Sequence, residues 1–476
     1  MKNLIFFLLF PFTSIGQRNY PASFDSFMNA EVAINHFNGN VLVAKSGDII
    51  YHKAFGYRNY DTKELLNNNS VFELESISKQ FTAVAILQLI EKGELKLSDS
   101  LRKFFPQLPY HDITIQNLLT HTSGLPLYDD EMRDKWDHKK IAFNDDLINF
   151  LSIEKIPVHF KAGTKWEYCG TGFDLLASVI ERISGVSFND HMLRNIFEPL
   201  GMKNTRIYNT RRSVKDTIPN YAYGYMYSDS LKKYVIPDSM PEYDYVTYLD
   251  GLVGDGQVNS TTGDLLIWDR ALKNHLLLSE DLQNQMFSPQ STVDTASGHY
   301  YGYGSKLYYG YGVDLGKDDE LSRRFIAHGG DYPGYITFLI RYLDDDVTIT
   351  VLSNNHFTAR GIAFALANIF YNRQVVLPYV HREIKIDTSV LGKYVGKYKF
   401  TATKGIFEIA KRDGKIFGRT STGEIAYKPE SATKFFAYDN FFNREFQIEF
   451  EINNQGNVSR AYFITTGVKR QMKKIE

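Results

Sequence analysis

Ser76 and Lys79 stand three residues apart at the head of a long apolar run, Ser76-Ile77-Ser78-Lys79-Gln80-Phe81-Thr82-Ala83-Val84-Ala85. Residues at i and i+3 share one face of a helix, so there the serine hydroxyl and the lysine amine can meet. A serine hydroxyl is a weak nucleophile until a nearby base takes its proton. Lysine can be that base where burial or a neighbouring cation makes its neutral form accessible. In a first helical turn, Ser76 would also feel the positive end of the helix dipole, which favours negative charge developing at its oxygen. The spacing by itself is unspecific. It recurs at Ser100, Ser152, Ser230 and Ser431, where a surface Ser and Lys is the ordinary reading. Context separates Ser76: a strand-rich opening precedes it, an amphipathic helix follows, and partner motifs lie downstream in a particular order.

The elements that must position this pair begin with the composition. A chain of 476 residues suffices for one large domain and a smaller one. With 43% hydrophobic and 23% charged residues it can bury a sizeable core. A formal net charge of −1 excludes the basic field expected of nucleic-acid binding or of an anionic membrane surface. Lys2, the apolar run Leu4–Phe10 and the small residues near Ser14 and Gly16 read as a secretory signal peptide over residues 1–16. Its apolar core is too short to span a bilayer, and no later segment looks transmembrane. The mature chain is therefore expected to be exported and soluble, in a periplasm or outside the cell. Cys169 is the single cysteine, which leaves no internal disulfide. It reads as a small buried residue, a Cys/His nucleophilic pair being the other option.

Residues 40–44 and 49–54 form a hairpin signal around Lys45-Ser46-Gly47-Asp48. The helix after Ser76 runs to Glu91 with apolar residues on more than one face, so it is expected to be central and buried. Thr114 caps a further helix that ends at Ser123-Gly124-Leu125-Pro126. Phe173–Ile183 and residues 260–278 give two more helices, the latter capped by Ser260 or Thr261. Residues 221–250 and 298–312, rich in Tyr and Gly, read as ordered loops or short strands walling a cleft. Residues 324–327, 335–342 and 347–352 form an antiparallel meander, and residues 358–372 a closing helix. Strands at both ends with helices between them predict an α/β (α+β) fold, its antiparallel sheet built from both ends of the domain around an inserted helical region. Residues 373–386 read as a linker, and residues 387–476, with short alternating strands, as a small all-β domain resembling a barrel or sandwich.

Three segments occur in the order Ser76-Ile77-Ser78-Lys79, Tyr168-Cys169-Gly170 and His328-Gly329-Gly330, with Leu118-Leu119-Thr120-His121-Thr122-Ser123-Gly124-Leu125-Pro126 between the first two. With Phe37-Asn38-Gly39-Asn40-Val41-Leu42-Val43-Ala44, they make residues 30–370 resemble the serine β-lactamase and penicillin-binding-protein superfamily. The likeness is strongest to class C β-lactamases and their D-alanyl-D-alanine carboxypeptidase and esterase relatives, whose Ser-x-x-Lys motif is an established signature. The tail from Leu391-Gly392-Lys393-Tyr394 resembles the lipocalin-like β domain appended to some of them. The resemblance implies a serine hydrolase domain over residues 17–372. Ser76 would be the acylated nucleophile, Lys79 its base or proton relay, and Tyr168 a proton shuttle to the leaving group. His328 would border the site and help bind a substrate carboxylate. The backbone N–H of Asp331, after Gly330, would join that of Ser76 as the oxyanion hole. His121 reads as a structural loop anchor.

One departure stands out. The family's Tyr-x-Asn motif reads Tyr168-Cys169-Gly170 here, so the carboxamide that contacts lysine and substrate is missing. This implies better turnover of esters than of β-lactams or peptides; were that preference to fail, Gln257 or Asn259 would be the substitute for the carboxamide. The expected partner is a small-molecule or peptide substrate: a D-amino-acid peptide, a β-lactam or an ester. No cofactor or metal is implied, since no His-Glu-x-x-His segment or Cys/His cluster occurs. The alternative is a catalytically silent homologue that binds peptides or envelope components.

Overall fold

The computed structural model describes residues 20–208, 218–293, 306–403, 405–420, 423–439 and 444–475. The leader read at residues 1–16 and the segment 298–305 of the Tyr- and Gly-rich stretch lie outside them.

Helix α1 (Tyr20–Ala33) leads into strands β1 (Gly39–Lys45) and β2 (Asp48–Phe55). These two complete one eight-stranded antiparallel sheet. Its order from edge to edge is 291–292, 307–309, 314–318, 323–332, 335–342, 347–353, β1, β2. The first hairpin of the chain thus pairs with its late strands, Gly39 opposite Ser353 and Lys45 opposite Val347. The reason lies in the runs themselves. Val41–Ala44 is continuously apolar, Val347–Leu352 alternates Thr with Val, Ile and Leu, and both runs are buried throughout, as strands covered on both faces must be. Asn38 fastens the join, its Nδ2 donating to Asn354 Oδ1 at 2.5 Å and to the Tyr57 carbonyl at 2.7 Å.

One apolar layer over the sheet holds α1 and the Ala359–Phe370 helix. The other holds the helical region, centred on α2 (Ser78–Glu91). Every α2 residue from Ser78 to Leu87 is buried, which explains apolar side chains on more than one face. Phe81 stacks on Trp268 with ring centroids 4.0 Å apart. Thr114 caps its helix in a reciprocal box with Asn117, and Thr261, not Ser260, caps Thr262–Lys273. Residues 226–228 and 233–235 form a small strand pair within the Tyr-rich 221–250 stretch.

The C-terminal strands, from Gly396–Phe400 to Val468–Lys474, close into an eight-stranded antiparallel barrel. Side chains including Tyr394, Tyr398, Phe407, Phe450, Phe463 and Met472 form its packed core. Residues 373–386 contain no helix and only an isolated bridge, Val375 to Val468. They are nonetheless fastened to the barrel. Val376 N–H donates to the Gly467 carbonyl at 2.9 Å, and Val468 packs into the apolar layer that holds Phe24 and Phe27.

His381, its side chain wholly buried, sits between Glu430 (3.0 Å) and Glu445 (2.8 Å). Burial pulls the imidazole pKa down, but the hydrogen bonds and charges of Glu445 and Glu430 outweigh it, and the net shift is upward. A histidine whose folded pKa is raised contributes stability that is full below its unfolded pKa of about 6.5. That contribution is lost as pH rises through the folded value. The melting temperature of wild type should therefore exceed that of His381→Gln by ~2–4 °C at about pH 6, with the gap closing toward about pH 9. A pH-independent gap would mean that the clamp is not ionic.

Candidate active site

The short strand Phe72–Glu73 pairs with Val258–Ser260, and the chain then turns sharply at Glu75, a buried residue with φ of 54°. A non-glycine residue in this left-handed region costs roughly 1 kcal/mol or more, so its surroundings must hold it. They do so through three contacts. Leu74 N–H donates to the Val258 carbonyl at 2.8 Å. The Thr337 hydroxyl donates to the Leu74 carbonyl at 2.7 Å, and Val258 N–H to Ser78 Oγ at 3.1 Å. The 3₁₀ turn Glu75–Ile77 then runs directly into α2. Ser76 is half-buried, and every other residue from 70 to 87 is fully buried. The strand Arg323–Tyr332 passes close behind this turn because residue 330 is glycine. A Cβ there would stand 2.2 Å from the Leu74 carbonyl oxygen.

Lys79 is completely buried and points back at the turn. Its Nζ donates to Ser76 Oγ at 3.0 Å, to the Asp255 carbonyl at 2.9 Å and to Asp255 Oδ2 at 3.3 Å. It also lies 4.9 Å from the centre of the Tyr168 ring. Burial pulls the Lys79 pKa down, but Asp255 first and then Tyr168 outweigh it, so the net shift is upward and the resting group is an ammonium. Burial raises the Tyr168 phenol, partly offset by Lys79 and by hydrogen bonds to Lys79 and Ser76. The structure thus brings Ser76, Lys79 and Tyr168 together, with the Lys79–Tyr168 pair fully protonated at rest.

His328 lies 6.3 Å from Tyr168, centre to centre. Its Nδ1 is 2.6 Å from the Gly329 carbonyl, which can only accept, so Nδ1 carries the proton. Nε2 then accepts from the Tyr309 hydroxyl at 3.1 Å. Burial first, then Lys79, lowers the His328 pKa to about 3. The ring is neutral and has no spare N–H in this arrangement, so any part it takes in holding a substrate carboxylate is not by charge. The Asp331 carboxylate is exposed and accepts from His356 Nε2 at 3.0 Å. His121 anchors the loop before Tyr168: its Nδ1 accepts from Cys169 N–H at 3.1 Å and its carbonyl from Glu167 N–H at 2.9 Å. Cys169 is buried, and burial pushes its thiol up to about 12, which leaves it inert as a nucleophile.

The missing carboxamide has a different replacement from the ones expected. Asn259 Nδ2 donates to the Gln257 carbonyl at 3.2 Å, and no bond from either side chain to Lys79 is present among the described residues. The group at Lys79 is Asp255, which sequence reasoning missed. A Cβ added to Gly170 would stand 2.4 Å from Asp255 Oδ2 and 3.2 Å from the Tyr128 ring, so the carboxylate occupies the space a larger residue would need. Behind it, Asp174 Oδ1 accepts from Asp255 N–H at 3.2 Å. Asp174 follows Gly170 by one helical turn, on the same face of the Gly170–Ser184 helix. That spacing was the available signal for it, and the Gly254-Asp255-Gly256 loop was the signal for Asp255. Gly170→Asn, whose backbone φ is acceptable, is accordingly expected to destabilise the chain by roughly 1–3 kcal/mol through overpacking. Urea unfolding of this variant beside wild type checks the expectation; a variant as stable as wild type would show that the space is not filled.

The family described as Beta-lactamase matches residues 24–370. The chain is 39% identical over 411 residues to penicillin-binding protein 4* of Bacillus subtilis, covering 84% of this chain and 88% of that protein. Among solved structures, it resembles the octameric penicillin-binding protein homologue from Pyrococcus abyssi with a TM-score of 0.66 and 24% identity, over 95% of this chain and 99% of that one. A penicillin-binding protein from Bacillus halodurans matches with a TM-score of 0.62 and 25% identity, over 72% of this chain and 99% of that one.

Proposed function

Since this chain belongs to the beta-lactamase family of serine hydrolases, we propose that it is exported and cleaves an amide or ester bond through an acyl-Ser76 intermediate. The observation that carries this reading is the half-buried Ser76 hydroxyl, 3.0 Å from the ammonium of the buried Lys79. One proton must leave the Lys79–Tyr168 pair before the pair can accept another, so acylation rises with pH. Ser76 Oγ then attacks the carbonyl carbon while its proton passes to the pair. The backbone N–H groups of Ser76 and Asp331 stabilise the oxyanion. The C–N or C–O bond to the leaving group breaks, and the pair returns the proton to that group. Water, deprotonated by the same pair, releases the acid and restores Ser76. His328, Gly330 and Asp331 border the substrate side. The leader at residues 1–16 supports export.

The substrate is a small molecule or peptide, with D-amino-acid peptides, β-lactams and simple esters as candidates. Asp255 sharpens the choice. A carboxamide donates an N–H to a substrate amide carbonyl, whereas an ionised carboxylate only accepts. Esters, which have better leaving groups, need that donation less, so we favour esters over β-lactams. The test is intact mass after exposure to a fluorophosphonate, and in parallel to a penicillin. One fluorophosphonate adduct mapped to Ser76 supports the reading. An unlabelled chain refutes the nucleophile, and rapid penicillin turnover refutes the ester preference.

A further inference from the structure

We propose that Asp255 is a positioning residue: its carboxylate fills the space left by Gly170 and fixes Lys79 as an ammonium against Ser76, while Asp174 behind it holds the proton that lets two carboxyl groups share one pocket. The inference rests on the reading of Ser76 as the nucleophile.

The geometry is specific. Asp255 meets Lys79 Nζ with two oxygens, its carbonyl at 2.9 Å and its Oδ2 at 3.3 Å. It is tied to Asp174 through its own N–H. A Cβ at Gly170 would stand 2.4 Å from Asp255 Oδ2, so a larger residue there would have to push the carboxylate aside. Two carboxyl groups this close do not both ionise readily beside a single ammonium. Asp174 is fully buried and no cation among the described residues forms an ion pair with it, whereas Asp255 touches Lys79 and its side chain keeps 17% of its surface in contact with solvent. The charge therefore belongs on Asp255 and the proton on Asp174, in keeping with a strong upward shift of Asp174 caused first by burial and then by Asp255. The pocket then holds one cation and one anion.

The other groups that face this pair are few. Lys79 is surrounded by Ser76, the Tyr168 phenol, and the imidazoles of His121 and His328, whose pKa values are lowered by burial and by Lys79 itself. Asp255 is faced by Lys79, Asp174, Tyr168, the Tyr128 phenol and Asp129. Of these only Asp255 is an anion bonded to Lys79. Its charge sets the pH at which the Lys79–Tyr168 pair gives up a proton.

The test is the second-order rate of fluorophosphonate labelling at Ser76, followed against pH on the full chain. In Asp255→Asn, which keeps the shape and removes the charge, labelling should reach its plateau at least about one pH unit lower than in wild type, the usual reach of a lost opposite charge. Asp255→Ser, smaller and unable to clash, should move the same way. Asp174→Asn, neutral like the protonated acid it replaces, should keep the wild-type pH dependence. A merely structural role would alter melting or maximal rate and leave the pH dependence in place. Unmoved curves in both Asp255 variants overturn the proposal, and so does an Asp174→Asn curve that moves as far as that of Asp255→Asn. A wild-type chain never labelled at Ser76 removes the nucleophile reading and this inference with it. Labelled wild type with unmoved Asp255 variants removes this inference alone.

Discussion

Ser76→Ala is expected to abolish acylation and to leave the fold intact. The hydroxyl is half-buried and held at hydrogen-bond distance from Lys79. Its removal takes away the atom that would carry the acyl group, and no neighbouring group can replace it: Cys169 is buried and its thiol pushed up to about 12. The structural cost is small. Lys79 keeps both bonds to Asp255, and the turn keeps its contacts to Val258 and Thr337. Each of the two hydrogen bonds lost, to Lys79 and to Tyr168, is worth about 0.5–1.5 kcal/mol at most. Intact mass after fluorophosphonate should show no adduct, ester hydrolysis should fall to background, and melting should stay close to wild type. Hydrolysis at the wild-type rate in this variant would sink the assignment.

Lys79→Ala should slow acylation by roughly 10²–10⁴-fold, the usual worth of a positioned proton-transfer group. Unlike Ser76→Ala, it should also destabilise the protein. Removing one partner of a buried ion pair leaves the other uncompensated, at roughly 3–5 kcal/mol. Asp255 keeps part of its surface in water, so the lower end of that range applies. Labelling kinetics and urea unfolding on one preparation separate the two effects. A rate loss below tenfold would mean that another group takes the Ser76 proton; unchanged stability would mean that the Lys79–Asp255 contact is not a paired charge.

Much of this arrangement is legible in the residues, and the illegible part has a physical pattern. Local rules carried the hairpin at Asn40–Ala54, the cap at Thr114 and the buried helix after Ser76, because each depends on neighbours within a few positions. The late strands were legible as continuous β-branched runs. Their pairing with β1 followed only from strands lying at both ends of the chain. Asp255 escaped because its meaning is entirely non-local: it acts on a lysine 176 positions away and in the gap beside a glycine on another element. A missing side chain at 170 could be seen in the sequence, but not what had moved into its place. The neutral state of His328 escaped for a similar reason, since it follows from burial and from the Gly329 carbonyl beside Nδ1.

The join between the first hairpin and the last strands of the sheet also governs when this chain can work. Asn38 and Asn354, which fasten it, are 316 positions apart. Contacts of such sequence separation raise the contact order, and folding slows because the ordering of a long chain precedes its reward. During synthesis β1 has no partner on its inner edge until residue 353 has emerged, so the sheet closes only when nearly the whole catalytic region exists. The strand bearing Gly330, which backs the Ser76 turn, belongs to that late half. A nascent chain therefore lacks the backing of the Ser76 turn for most of its synthesis. For that interval the chain is an unfolded polymer whose two sheet-forming ends have not yet met.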